Sequence, residues 1–166
     1  MVAAACKKKN VTRTVNDAGL LRQLVGTWHI QFTNFPMWLT GKKRHPAFTY
    51  AAASSEDMLV DTVTYLCRGG VRRIRGKDRY LGGRRFRWRG SGLLCLLTSE
   101  WEVAHISSET DWAIVRFEKS LFSPAGHDIV ARRALISADL ENEMLSRFRS
   151  IFPGESIQRL ASPPST

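Results

Sequence analysis

The sequence predicts an all-β protein: an eight-stranded antiparallel up-and-down barrel with a short N-terminal helix and a C-terminal α-helix. Three observations carry this. Short segments that alternate apolar and polar residues, or are rich in β-branched ones, follow one another from residue 28 to residue 136. Glycine pairs such as Gly69-Gly70 and Gly82-Gly83 separate them at hairpin spacing. Helical periodicity is confined to the two ends of the chain. Up-and-down strands in this number close into a small barrel, which removes the exposed sheet edges. A β-sandwich is the structural alternative.

In chain order, residues 1–15 read as a disordered basic arm, residues 16–153 as one barrel domain with its C-terminal helix, and residues 154–166 as a flexible tail. Residues 17–25 place Leu20, Leu21, Leu24 and Val25 at helical spacing. Gly26-Thr27-Trp28 then opens a strand with Trp28, Ile30 and Phe32 on one side and His29, Gln31 and Thr33 on the other. Pro36 ends it. Residues 37–46 form a loop holding Trp38 and the basic run Lys42-Lys43-Arg44-His45, and residues 48–50 a brief strand.

Strands follow at residues 59–67 and 71–80, then at 84–89, where Phe86 and Trp88 alternate with Arg85, Arg87 and Arg89. The apolar run 93–97 belongs to the same series. Residues 101–105 set Trp101, Val103 and His105 on one face. Residues 111–119 set Ala113, Val115 and Phe117 opposite Trp112, Ile114 and Arg116, and residues 127–136 complete the strands. Leu140, Met144, Leu145 and Phe148 then define an amphipathic helix over 138–152, capped by Ser137 and stopped by Pro153-Gly154.

The 166 residues carry 25 Lys and Arg against 15 Asp and Glu, a formal charge of +10, which attracts polyanions, anionic membranes or acidic small molecules. Cys6, Cys67 and Cys95 are odd in number and lack CxxC spacing, so a reducing, cytoplasmic setting is expected. The first residues lack a secretory h-region, while their basic character leaves organelle targeting open. No apolar run approaches the roughly 18 residues of a membrane span.

The order of helix, Gly-x-Trp strand, strand meander and C-terminal helix resembles the lipocalin plan over residues 17–152. A second local likeness lies in Thr110-Asp111-Trp112-Ala113-Ile114-Val115-Arg116-Phe117 followed by Gly126-His127-Asp128-Ile129-Val130-Ala131-Arg132-Arg133. That pair of segments resembles the last two strands of lipocalin-like domains, those of the plant violaxanthin de-epoxidases and small bacterial lipocalins included. The resemblance implies that a terminal arginine lies across the Trp28 indole and closes the barrel base with Gly26. Position assigns it to Arg132, with Arg133 one register away. Two departures limit the likeness. Trp112 stands where a Thr-Asp-Tyr type segment is usual, and the cysteine-rich region of the de-epoxidases is absent, so their activity does not carry over.

The aromatics read as inward-facing, Phe32, Tyr50 or Tyr65, Phe86, Trp88, Trp101 and Trp112, either line a cavity or fill it. The segment 68–89 holds Arg68, Arg72, Arg73, Arg75, Lys77, Arg79, Arg84, Arg85, Arg87 and Arg89 against Asp78 alone. It is read as a solvated outer face, a nucleic-acid or membrane surface, or the source of one or two arginines clamping an acidic ligand at the barrel mouth. The spacing of His29, His45, His105 and His127 predicts no metal site, and no cofactor fingerprint is present.

Weak catalytic candidates are His105, Asp111, Asp128 and Tyr65, with His127 a possible partner; as strand-end residues both aspartates serve turns instead. The sequence therefore predicts a small hydrophobic, acidic ligand in the cavity. The alternatives are an isomerase, cyclase or de-epoxidase acting on a terpenoid, polyketide or lipid-derived substrate there, and anionic-polymer or membrane binding through residues 68–89.

Overall fold

A computed structural model describes residues 15–109, 111–121 and 123–161, with side chains from Gly19 onward. The basic arm but for Val15, together with Cys6, Thr110, Phe122 and the last five residues, lies outside the described residues. Helix α1 (Val15–Leu24) leads into β1 (Gly26–Thr33), and a single helical turn, α2 (Pro36–Leu39), follows. The meander continues as β2 (Arg44–Ala52), β3 (Met58–Cys67), β4 (Gly70–Gly82), β5 (Arg85–Gly90), β6 (Thr98–Ile106), β7 (Trp112–Phe117) and β8 (Gly126–Ala131). Helix α3 (Ala138–Ile151) and a two-residue strand, β9 (Gln158–Arg159), complete it.

Each strand from β1 to β8 pairs antiparallel with its sequence neighbour, and β8 returns to β1, so the eight close into a barrel. The glycine pairs act as expected. Gly69 and Gly70 take φ of 91° and 111°, a left-handed geometry that lets β3 turn directly into β4.

Two cores result. Inside the barrel, Trp28, Ile30, Phe48, Tyr50, Leu59, Val63, Tyr80, Phe86, Trp101, Val103, Val115 and Val130 pack together, with Leu20, Leu21 and Leu24 of α1 plugging the base. Outside it, α3 lays Met144 and Phe148 over Phe32, Trp112, Ile114, Ile129 and Ala131. Ser137 caps α3, its hydroxyl accepting from the Leu140 N–H.

Bulges divide the two cores. The register between β1 and β8 slips between Ile30 and Phe32, pairing Ile30 with Val130 but Phe32 with Ile129. One extra residue flips side-chain parity, so Phe32 leaves the interior for the α3 side. A second slip, between Val103 and His105, turns His105 out and Ile106 in. Trp112 needs no bulge. It lies opposite Ala131 on the outward parity of β7, while Ala113, Val115 and Phe117 face in.

Two other expectations change. Residues 93–97 are not a strand but a loop containing a 3₁₀ turn (Gly92–Leu94), with Leu93 and Leu96 in solvent. Residues 154–161 do not simply trail away. Gln158 and Arg159 pair with Thr33 and Phe32, and the Leu160 N–H donates to the Gln31 carbonyl at 2.9 Å.

Candidate functional site

The up-and-down order puts every connection at one of two ends, and the two are finished differently. At the base, Trp28 is 1% exposed and its indole N–H donates to the Leu24 carbonyl at 2.7 Å. The Arg132 guanidinium lies 3.7 Å from the Trp28 ring centroid and donates to the Gln23 carbonyl of α1. A Cβ on Gly26, at φ 111°, would stand 2.7 Å from Arg132 Nη1, so glycine is required there for both space and geometry. Gly26, Trp28 and Arg132, named together from the sequence, thus meet at this end of the barrel.

The opposite end opens into a cavity of about 170 Å³. Its walls carry Phe48, Tyr50, Val63, Ile74, Trp88, Trp101 and Phe117, while Phe35, Met37 and Trp38 reach over it from the β1–β2 connection. Pro36 fixes the start of the α2 turn that carries Trp38 inward, where it is 6% exposed. The aromatics stack in series. Tyr50 lies on Trp101 at 5.7 Å, and Trp101 on Phe86 at 4.4 Å, both near-parallel.

Carboxyls supply the polarity. Asp61, Asp78 and Asp128 are all buried, and Asp61 and Asp128 line the cavity. The Trp101 indole N–H donates to Asp78 Oδ1 at 2.6 Å, leaving Oδ2 without a partner. The Trp88 indole bonds Asp61, crossing Gly76, where a Cβ would sit 2.2 Å from Trp88 Nε1. The Thr33 hydroxyl lies near Asp128, but neither oxygen of that carboxyl completes a well-formed hydrogen bond.

Burial pushes the pKa of Asp78 and of Asp128 up to about 7. Asp61 is raised well above the carboxylate range by burial and then by the neighbouring Asp78. Burial, reinforced by Asp61, Asp78 and Asp128, also raises the Tyr50 phenol. The interior is thus an apolar box with proton-holding carboxyls.

The residues named from sequence are divided by this geometry. Tyr50, Trp88 and Trp101 line the cavity, and Phe86 backs Trp101. Tyr65 stands beside it, edge-on to Trp38 at 5.8 Å and under the Lys43 ammonium at 5.1 Å. Phe32 and Trp112 do not face in; both lie beneath α3. His105 is also outside, 4.8 Å from Trp112, and burial followed by Arg147 and Arg84 lowers its pKa. His127 packs on Phe152 at 4.2 Å. Asp111 is a turn residue that accepts from the Ser107 hydroxyl at 2.6 Å, whereas Asp128 is an interior one.

Arg73, Arg75 and Arg79 of β4 and the arginines of β5 take the outward parity, where Arg87 and Arg85 grip Glu100 at 2.6 and 3.1 Å. Arg72, near the start of β4, shares the parity of Ile74 but is exposed, and none of these arginines lines the cavity. Asp61 and Asp78 escaped the sequence reading. Their signal was parity alone: Asp61 shares a face with Leu59 and Val63, and Asp78 with Ile74 and Tyr80.

No protein-family model matches the sequence, and no curated protein matches it in sequence. Solved structures do match in shape. Lobster apocrustacyanin A1 superposes with a TM-score of 0.63 at 13% identity, over 89% of this chain and 87% of that one. The bovine lipocalin allergen Bos d 2 gives 0.59 at 15% identity, over 87% and 99% of the two chains. The siderocalin Ex-FABP gives 0.58 at 14% identity, over 86% and 93%. With a closed eight-stranded up-and-down barrel, a helix at each end and an arginine-covered tryptophan at the base, this chain has the lipocalin fold.

Proposed function

We propose that the protein binds a small, largely apolar molecule in the barrel cavity. The observation that carries this reading is the aromatic-walled space of about 170 Å³ with unsatisfied carboxyl oxygens facing it. A dry cavity of about 150 Å³ admits a benzene-sized guest, so the ligand is compact, one or two rings or a short chain. A neighbour in fold, the siderocalin Ex-FABP, functions through dual ligand specificities, which adds to the case.

The polar end of the ligand is read from the lining. An acidic group would meet Asp61 and Asp128 rather than arginine, and like charges in a low-dielectric site repel strongly. An ammonium or hydroxyl donor instead satisfies the orphaned oxygens. An ammonium also draws the carboxyl pKa values down, so the complex releases protons and tightens as pH rises through about 7. The cavity therefore favours an amine or alcohol over an acid. A reducing, cytoplasmic setting is part of the proposal, supported by the free thiols of Cys67 and Cys95.

Tryptophan fluorescence tests the reading, because Trp88 and Trp101 are in the wall. Titration with indole, 2-phenylethylamine and phenylacetate is expected to give saturable changes with the first two and a much weaker one with the acid. Asp128→Asn is expected to abolish the amine's advantage while indole still binds. No saturable change with any of the three sinks the proposal.

Catalysis on such a ligand has a narrower basis. A His–carboxylate pair does not form, since His105 and His127 lie outside the barrel. What favours it is Asp128 itself, whose pKa of about 7 suits a general acid. Turnover lost in Asp128→Asn with binding retained is the result that supports an isomerase or cyclase.

A further inference from the structure

The side chains around the mouth are of two kinds that seldom occur together on a free surface. Leu93, Leu121 and Leu96 are 103%, 94% and 88% exposed, the three most exposed large hydrophobic residues among those described. Up-and-down topology places all three at the mouth, Leu93 and Leu96 in the β5–β6 connection and Leu121 in the β7–β8 connection. Leu96 and Leu121 border one shallow groove, so the two loops are neighbours. Val71, 52% exposed, begins β4 at the same end.

Charge follows the same geography. Lys42 and Lys43 precede β2, Arg68 and Arg72 lie at the β3–β4 turn, Arg89 is the last residue but one of β5, and Lys119 follows β7. Among the described residues of these connections the acid is Glu118, held at 3.4 Å by Arg116. The base is mixed in charge: Glu56 and Asp57 lie between β2 and β3 and Glu109 and Asp111 between β6 and β7, but Arg84 lies between β4 and β5, and Arg132 and Arg133 follow β8. The mouth is therefore the end where cations outnumber acids, and it also displays the leucines.

Fully solvated leucines at loop tips gain from entering an apolar phase, and cations beside them gain from anionic headgroups. A nucleic acid would use the cations but leave the leucines in water, and base stacking needs exposed aromatics, whereas Trp38, Phe35 and Phe117 at this end are turned inward. We infer that the mouth of the barrel is a docking surface for an anionic lipid bilayer, with Leu93, Leu96 and Leu121 entering the interface and the surrounding lysines and arginines contacting the headgroups. The docking does not depend on what occupies the cavity, but it opens the cavity toward the lipid.

Cys95 lies exposed in the β5–β6 loop and provides the probe. With Cys6→Ser and Cys67→Ser, a polarity-sensitive fluorophore on Cys95 is expected to shift to the blue with vesicles containing about a third phosphatidylserine in phosphatidylcholine, and not with phosphatidylcholine alone. The same label on Ser54→Cys, in the base, with Cys95→Ser added, is expected not to respond. Vesicle flotation is expected to fall at least tenfold in Leu93→Ser/Leu96→Ser/Leu121→Ser, with its circular dichroism unchanged. Each of Lys42→Ala and Arg72→Ala is expected to cost on the order of fivefold. The inference is overturned if the Cys95 label stays in water while the protein floats, or if the leucine variant floats as well as the parent. Retention on a single-stranded RNA without vesicle binding overturns it equally.

Discussion

Trp28 at the base and Trp101 in the cavity wall are both buried indoles on inward-facing strand positions, yet their surroundings differ in kind. Around Trp28 every polar need is met: its N–H bonds the Leu24 carbonyl, Arg132 covers its face, and α1 supplies leucines. Around Trp101 needs are left open, since Asp78, which accepts from it, keeps a bare oxygen, and Asp61 and Asp128 add more. The loops repeat the contrast, mixed in charge at the base, leucine-tipped and basic at the mouth. Stability is concentrated where polar groups are satisfied, and binding capacity where they are not.

The largest break in this comparison is Trp28→Ala. It empties a fully packed site and leaves Arg132 without its ring, and a loss of about 3–5 kcal/mol is expected in urea denaturation. The corresponding truncation at the mouth, Trp88→Ala, enlarges an existing cavity and is expected to cost clearly less. Equal costs would erase the distinction between the two ends.

Next is the pH response of the interior carboxyls. A pKa raised by folding means that the native state holds the proton more tightly than the unfolded chain, so stability is complete at low pH and is lost as pH rises through the folded value. For Asp128 that window runs from about 4 to about 7. Asp128→Asn, which cannot ionise, is expected to be more stable than the parent by on the order of a few kcal/mol at pH 8, and to lose that advantage by pH 4. Denaturation at the two pH values decides it. A gain that is independent of pH would point to packing instead.

Arg132→Lys sharpens the base. A point charge replaces a planar fork that both covers the ring and bonds Gln23, and a loss of about 1–2 kcal/mol is expected. In the Trp28→Ala background the same change is expected to cost much less, because the ring is already gone. The smallest effect is at the mouth, where Leu93→Ser is expected to change stability by less than about 0.5 kcal/mol, since a fully exposed side chain loses no burial.

Strand parity was legible wherever a strand ran straight. Phe86 and Trp88 inward against Arg85, Arg87 and Arg89 outward is visible in the residues themselves and matches the structure. Parity failed at Phe32 and His105 for one reason: a bulge inserts a residue without leaving a mark that a single sequence reveals. Trp112 was misplaced differently. Its strand has apolar residues on both faces, and only α3, arriving from residues 138–151, determines which face is interior. The leucines of 93–97 read as strand material because composition does not register exposure.

By itself the sequence determined the order of most elements, the glycine turns and the barrel class, while the arginine over Trp28 was implied by the lipocalin resemblance. The first three depend on local periodicity and on turn residues at strand ends. Tertiary structure alone decided which aromatics share the cavity, that three carboxyls from separate strands are enclosed together, and that leucines and cations gather at one end. Those are properties of closure and register, and register is a relation between strands rather than a property of any one.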